Sequence, residues 1–230
     1  MKTVYTCVAG ALHKSEGKEC QDIIVSENSD NLSVTVLCDG AGSKKYGAKS
    51  AALVAKTAAK SLAENFYCFD KANFLNDINI KLEEAGFNEK NAGTTLIFVA
   101  ADREKYIIGH LGDGVVLQKF GEDFKVVSKP ENGFLANMTY FLPSSNSKSH
   151  FRCVKRENTG PTAFILSSDG AAFFLYDPKT LDGYNVCNIF ADWAKNDSLD
   201  ECKEKITINL EQEFSKYSGD DMSIAVVLVD

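Results

Sequence analysis

Val34-Thr35-Val36-Leu37-Cys38-Asp39-Gly40-Ala41-Gly42-Ser43 is the stretch on which the reading of the fold turns. β-Branched and apolar residues run up to Cys38, which marks a buried strand. Asp39 then stands at the strand tip. Gly40 and Gly42 let the chain turn tightly there and let the Gly40 carbonyl approach a ligand. A glycine-rich turn is also an ordinary way to leave a strand, so one such tip says little. The pattern recurs, however. Asp113-Gly114 follows the run Tyr106 to Gly112, Asp169-Gly170 follows Thr162 to Ser168, and Asp220-Asp221 precedes Met222 to Val229. Carboxylates gathered at one sheet edge repel one another unless cations lie between them, and oxygen-only donor sets suit Mg²⁺ and Mn²⁺. The expectation is a two-metal, carboxylate-built hydrolytic site. Asp182-Gly183 follows no apolar run and reads as an ordinary loop.

Around this stretch, strands are expected over 3–9 and 31–38, with a short apolar run from Ile23 to Val25 between them. Residues 47–66 and 70–85 carry helical propensity and spacing, and Gly86 is a natural stop. Strands follow near 94–101, 105–111, 114–120 and 123–128, then a polar loop over 129–150. Further strands are expected near 151–155, 162–168 and 222–229, and helices near 185–195 and 198–217. Strands at both ends and in the middle, with helices in two blocks, do not fit the strict alternation of a parallel sheet. They predict an α+β fold in which two antiparallel sheets pack face to face with helices outside, a four-layer α/β/β/α sandwich. No repeat or composition break divides the chain, so residues 1–230 are expected to form one domain.

The net charge is −7, from 32 acidic and 25 basic residues, which disfavours an electrostatic grip on nucleic acid. Seven cysteines, an odd number with no Cys-x-x-Cys pair, fit a reduced cytoplasmic protein. The first ten residues lack the apolar core of a signal peptide, and no apolar run reaches the length of a membrane helix.

The short motifs gain weight from their order. Gln21-Asp22, Asp39-Gly40-Ala41-Gly42, Gly93-Thr94-Thr95, Gly112-Asp113-Gly114, Ser168-Asp169-Gly170 and Asp220-Asp221-Met222-Ser223 succeed one another along nearly the whole chain. This series resembles the metal-dependent protein phosphatases of the protein phosphatase 2C type, and most closely their compact bacterial branch. The segment from Glu131 to Thr139 is similar to a signature of that branch. The resemblance implies a phosphoserine/phosphothreonine protein phosphatase using Mn²⁺ or Mg²⁺, two ions and in bacterial members a third. Asp39 matches the carboxylate that bridges the metals, and the Gly40 carbonyl a ligand of the second. Asp169 and Asp220 match the remaining carboxylates of the first, with Asp221 in the place of an Asn. Asp22 matches a residue that holds metal-bound water, and Asp113 one that joins Asp169 around a third ion. Gly93, Thr94 and Thr95 match the structural start of a core strand. The implied reaction is in-line attack on phosphorus by a metal-bridging hydroxide. The implied partners are phosphorylated Ser/Thr proteins and a Ser/Thr kinase.

Two positions depart from the family pattern. An Arg that grips substrate phosphate stands in many relatives five residues before the position of Asp22, and here that position is Gly17. His13 is the nearest substitute for contacting phosphate, although a solvated loop histidine is an equally simple reading. Animal-type members place a His inside the Asp-Gly-x-Gly motif, and here Ala41 occupies it. His110 reads as a strand residue, and Lys44 and Lys45 as solvated loop lysines near the phosphate path. The missing Arg leaves open a non-catalytic relative that binds phosphoproteins or regulates a kinase.

Overall fold

The computed structural model describes residues 1–133 and 139–229, so the middle of the 131–139 segment lies outside the described residues. Ten strands form two five-stranded antiparallel sheets. The first contains β1 (Lys2–Val8), β10 (Met222–Val229), β9 (Thr162–Ser167), β6 (Val115–Phe120) and β7 (Asp123–Ser128), in that spatial order. The second contains β2 (Asp22–Asn28), β3 (Ser33–Asp39), β4 (Leu96–Ala101), β5 (Lys105–Leu111) and β8 (Arg152–Glu157).

Period-2 alternation divides each strand between two apolar layers. Ile24, Leu37, Ile97, Val99, Phe164, Leu166, Ala225 and Val227 form the slab between the sheets. The alternate residues turn outward under helices. On the second sheet, Val34, Val36, Phe98 and Ile107 meet α2 (Gly47–Asn65) and α3 (Lys71–Glu84). The helical pattern of small residues in α2 (Ala51, Ala55, Ala58 and Ala59, all fully buried) lets its backbone lie close to the sheet. On the first sheet, Ile165, Ile224 and Val226 meet α6 (Asn185–Asn196) and α7 (Leu199–Gln212). Thus three dry layers separate four layers of structure, as the sequence pattern predicts.

Local chemistry fixes the helix starts. The Asp70 carboxylate accepts the backbone N–H groups of Ala72 and Asn73 to start α3. Ser198 and Glu201 form a reciprocal capping box on α7. Three short helices complete the set: α1 (Ala11–Ser15), α4 (Ser147–His150) and α5 (Asp169–Ala172). The apolar run from Ile23 to Val25 proves to be the core of a longer strand, β2, whose half-exposed end continues through Ser26, Glu27 and Asn28. The helix expected over 198–217 ends at Gln212 and gives way to a 3₁₀ turn over Phe214–Lys216. Among the described residues, no helix is long and apolar enough to cross a membrane.

Candidate metal centre

At one end of the inter-sheet slab, the inward-facing positions change from apolar to polar. Ile24 gives way to Asp22 on β2, and Leu37 to Asp39 on β3. The two carboxylate residues are direct register partners across the β2–β3 pair. Ala225 gives way to Ser223 on β10 and then to Asp221 just ahead of that strand, while Leu166 on β9 is followed two residues later by Ser168. The strands that build the core therefore deliver the site at their tips.

A cavity of about 270 Å³ opens there, lined by His13, Asp39, Gly40, Asp113, Asp169 and Asp220 among others. One carboxylate oxygen from each of Asp39, Asp113 and Asp169 lies within 4.8 Å of the others. These hard oxygen donors suit Mg²⁺ or Mn²⁺. Asp220 lines the same cavity, but its carboxylate accepts the Asp221 backbone N–H at 2.9 Å.

The electrostatics are those of a site short of positive charge. Burial first, then the neighbouring carboxylates, hold Asp39 well above the usual carboxylate range. Asp169 is pushed up to about 7 by burial and then by Asp113, Asp220 and Asp22. Asp22 is pushed up to about 6, again chiefly by burial. The buried oxygens of Asp22 make no well-aligned hydrogen bond, although the Ser168 and Ser223 hydroxyls lie beside them. Burial raises Asp113 too, opposed by a hydrogen bond from the Thr139 hydroxyl to its Oδ2. Buried carboxylates with unpartnered oxygens are the condition that a bound divalent cation relieves.

The backbone around the site is fixed by close approach. A side chain on Gly40 would meet the backbone of Gly47 at 2.6 Å and Ala48 at 2.8 Å. One on Gly170 would collide with the Asp221 carbonyl. The Asp39 N–H donates to the Thr95 hydroxyl at 2.9 Å, and the Thr95 N–H donates back to the Asp39 carbonyl at 2.9 Å. This pairing gives Thr95 the structural part expected of it.

Gly17 is an exposed turn residue with φ of 67°, surrounded by open space. The family's phosphate-gripping Arg would stand at this position, and Gly17 is not among the residues lining the cavity. His13 is in the wall instead. Its Nδ1 lies 2.9 Å from both carboxylate oxygens of Asp221. Those oxygens also accept the N–H groups of Gly10 at 2.8 Å and Gln21 at 2.6 Å. Asp221 thus ties down both ends of the 10–21 segment. Its role escaped the sequence because these partners lie about two hundred positions away. The one signal was its acidity beside Asp220 just ahead of a strand.

His110 sits inside β5, where Nδ1 is 2.7 Å from the Ser128 hydroxyl. Burial, and then the Arg152 charge, push it down to about 3, so it is no proton donor at neutral pH. Lys44 donates to the Glu89 carbonyl at 2.7 Å and lines a neighbouring cavity of about 500 Å³. Asp182 lies in a loop and pairs with Lys125 at 3.3 Å, away from the metal end.

A family model described as protein phosphatase 2C matches residues 9–211. No curated protein matches the sequence. Among solved structures, the S. agalactiae serine/threonine phosphatase superposes with a TM-score of 0.69 at 18% identity, covering 100% of this chain and 99% of that one. Stp1 from Staphylococcus aureus gives 0.70 at 16% identity, covering 100% and 96%. PppA, described as a regulatory component of the type VI secretion system in Pseudomonas aeruginosa, gives 0.69 at 15% identity, covering 99% and 96%. At these identities the superpositions speak for the fold.

Proposed function

The chain belongs to the protein phosphatase 2C family of metal-dependent Ser/Thr phosphatases, and from that premise we propose that its carboxylate cavity holds two Mn²⁺ or Mg²⁺ ions and hydrolyses phosphoserine and phosphothreonine in proteins. The observation that carries this reading is the meeting of Asp39, Asp113 and Asp169 oxygens within 4.8 Å in a cavity that also contains Gly40 and Asp220. Asp39, Asp169, Asp220 and the Gly40 carbonyl would hold the two ions. Asp22, behind Asp39, would order their water, and Asp113 would join Asp169 around a third ion.

Bound divalent ions supply a lowered water pKa and neutralise charge on the phosphoryl oxygens. The rest is positioning by the protein. The Asp39 backbone is held from behind by Thr95, which fixes the point where its side chain leaves the strand. Asp22 accepts no strong protein hydrogen bond and is free to accept one from water. His13 lines the same cavity. A Ser/Thr kinase must precede this enzyme in any cycle, since only such a reaction makes its substrate.

Turnover of a phosphothreonine peptide and of p-nitrophenyl phosphate tests the reading, with Mn²⁺, with EDTA and with Asp39→Asn. Wild-type protein that with Mn²⁺ does no better than Asp39→Asn would sink it. Turnover of the small ester without the peptide would move the substrate away from proteins.

A further inference from the structure

We propose that His13, aimed by Asp221, gives the proton to the seryl or threonyl oxygen as it leaves phosphorus. The proposal rests on the phosphatase reading above. An ionised carboxylate only accepts hydrogen bonds. Asp221 accepts three, from Gly10, Gln21 and His13, so the His13 proton in that contact sits on Nδ1. Nε2 is then the ring atom left for chemistry. It makes no hydrogen bond among the described residues. It lies 3.7 Å from the point that a Cβ on Gly42 would occupy, and Gly42 has none. The end of the ring is therefore open beside the Asp39–Gly42 turn.

The chemistry calls for such a group. A serine or threonine alkoxide is strongly basic and leaves poorly unless protonated as the P–O bond breaks. The carboxylates of the cavity are committed to cations, His110 is sealed inside the sheet, and Lys44 is turned to Glu89. His13 is the imidazole of the cavity wall. The charged groups around it are Asp221 at Nδ1, Glu16 in the same turn, and the metal-site carboxylates across the cavity. In the step itself, water oxygen bonds to phosphorus and the P–O bond to the side chain breaks. From the ring protonated on both nitrogens, the Nε2 proton passes to the leaving oxygen while Nδ1 keeps its own toward Asp221. The proton that water releases to solvent balances the one His13 later takes back.

The leaving group separates this role from phosphate gripping. p-Nitrophenolate leaves without protonation, whereas a threonyl oxygen does not. For His13→Gln, kcat on a phosphothreonine peptide is expected to fall about 100-fold, against about threefold or less on p-nitrophenyl phosphate. Equal losses on both substrates, or a rise in KM alone, would assign His13 to phosphate binding and overturn the proposal. So would equal retention of both activities. Calorimetric Mn²⁺ binding and the melting temperature of the variant show whether the site has kept its shape.

A readout independent of turnover is the ring nitrogen spectrum, tractable with three histidines in the chain. The neutral His13 ring should carry its proton on Nδ1 in the wild type. In Asp221→Asn, the amide donates to Nδ1 and the proton moves to Nε2. A wild-type ring already protonated on Nε2 alone would overturn the aiming role of Asp221. Absence of any Mn²⁺-dependent turnover in the wild type would bring down the phosphatase reading and this proposal together; the other results bear on His13 alone.

Discussion

Leu37 and Asp39 lie two residues apart on β3 and face the same side of the sheet, as do Ile24 and Asp22 on β2. The first member of each pair is packed in a dry slab; of the second members, Asp39 lines a cavity of like charges and Asp22 is buried beside it. The slab gains free energy by removing apolar surface from water and leaves nothing unpaired. At the cavity end, proton affinities are raised by desolvation and then by the neighbouring carboxylates, and the oxygens of Asp22 lack partners. The comparison teaches that the fold places its gain and its cost on the same strands. The slab holds rigid what the mouth would otherwise push apart.

The sharpest way to break this contrast is to swap its costs. Asp39→Asn is expected to lower kcat by about 1,000-fold or more, as expected when a central metal ligand is lost. The same variant should melt higher than wild type in EDTA near neutral pH, because one repelling charge is gone. Calorimetry with and without Mn²⁺ checks both halves; a lower melting point in EDTA would contradict the strain. In the slab the opposite is expected. Leu166→Ala should cost about 2–5 kcal/mol in urea unfolding, through lost burial and a residual cavity. Its loss of kcat should be small beside that of Asp39→Asn at temperatures where it is folded.

The pH dependence of the metal-free protein sharpens the picture further. Asp22 and Asp169 have folded-state values of about 6 and about 7, above the usual 3.8. The native state therefore keeps protons that the unfolded chain has lost. Stability is greatest below the unfolded value and falls as pH rises through the folded ones, between about 4 and 7. Melting curves in EDTA should decline across that window, and Mn²⁺ should raise the melting point more at its upper end. A flat profile would mean that the carboxylates do not strain the fold. The smallest effect is expected from Thr139→Val, which removes the hydroxyl from Asp113. It should change the Mn²⁺ concentration for half-maximal activity by about 2- to 10-fold, in keeping with the net contribution of one typical hydrogen bond.

The strand tips were legible because they are local. An apolar run followed by Asp-Gly states both the strand and its carboxylate, which served for Asp39, Asp113 and Asp169. Helices and sheets could be read from period alone, and the layered packing followed. What could not be read is non-local. Asp113 proved to share the inner carboxylate group, whereas Asp220 turns to a backbone amide. Asp221 was passed over because its partners come from the opposite end of the chain. Counting back from Asp22 shows that Gly17 stands where the family has its Arg, but counting alone does not show that His13 reaches the cavity wall. The stacking of Tyr140 on His150, with His150 held 2.8 Å from Glu131, likewise joins loop residues that no periodicity connects.

The position of β10 has a consequence for how the protein comes into being. It is the last strand in the sequence, yet it lies between β1 and β9. Until residues 220–229 have left the ribosome, β1 has no neighbour in its sheet, and the 10–21 segment has no Asp221 to fasten it. The nascent chain can collapse its second sheet under α2 and α3 early, because β2 to β5 are nearly contiguous. In the first sheet, β6, β7 and β9 can pair with one another beforehand, but β1 must wait. Protease sensitivity of ribosome-arrested chains would show it: cleavage within 1–21 should persist until β10 emerges, then vanish. A phosphatase assembled in this order cannot complete its working end before β10 has been made.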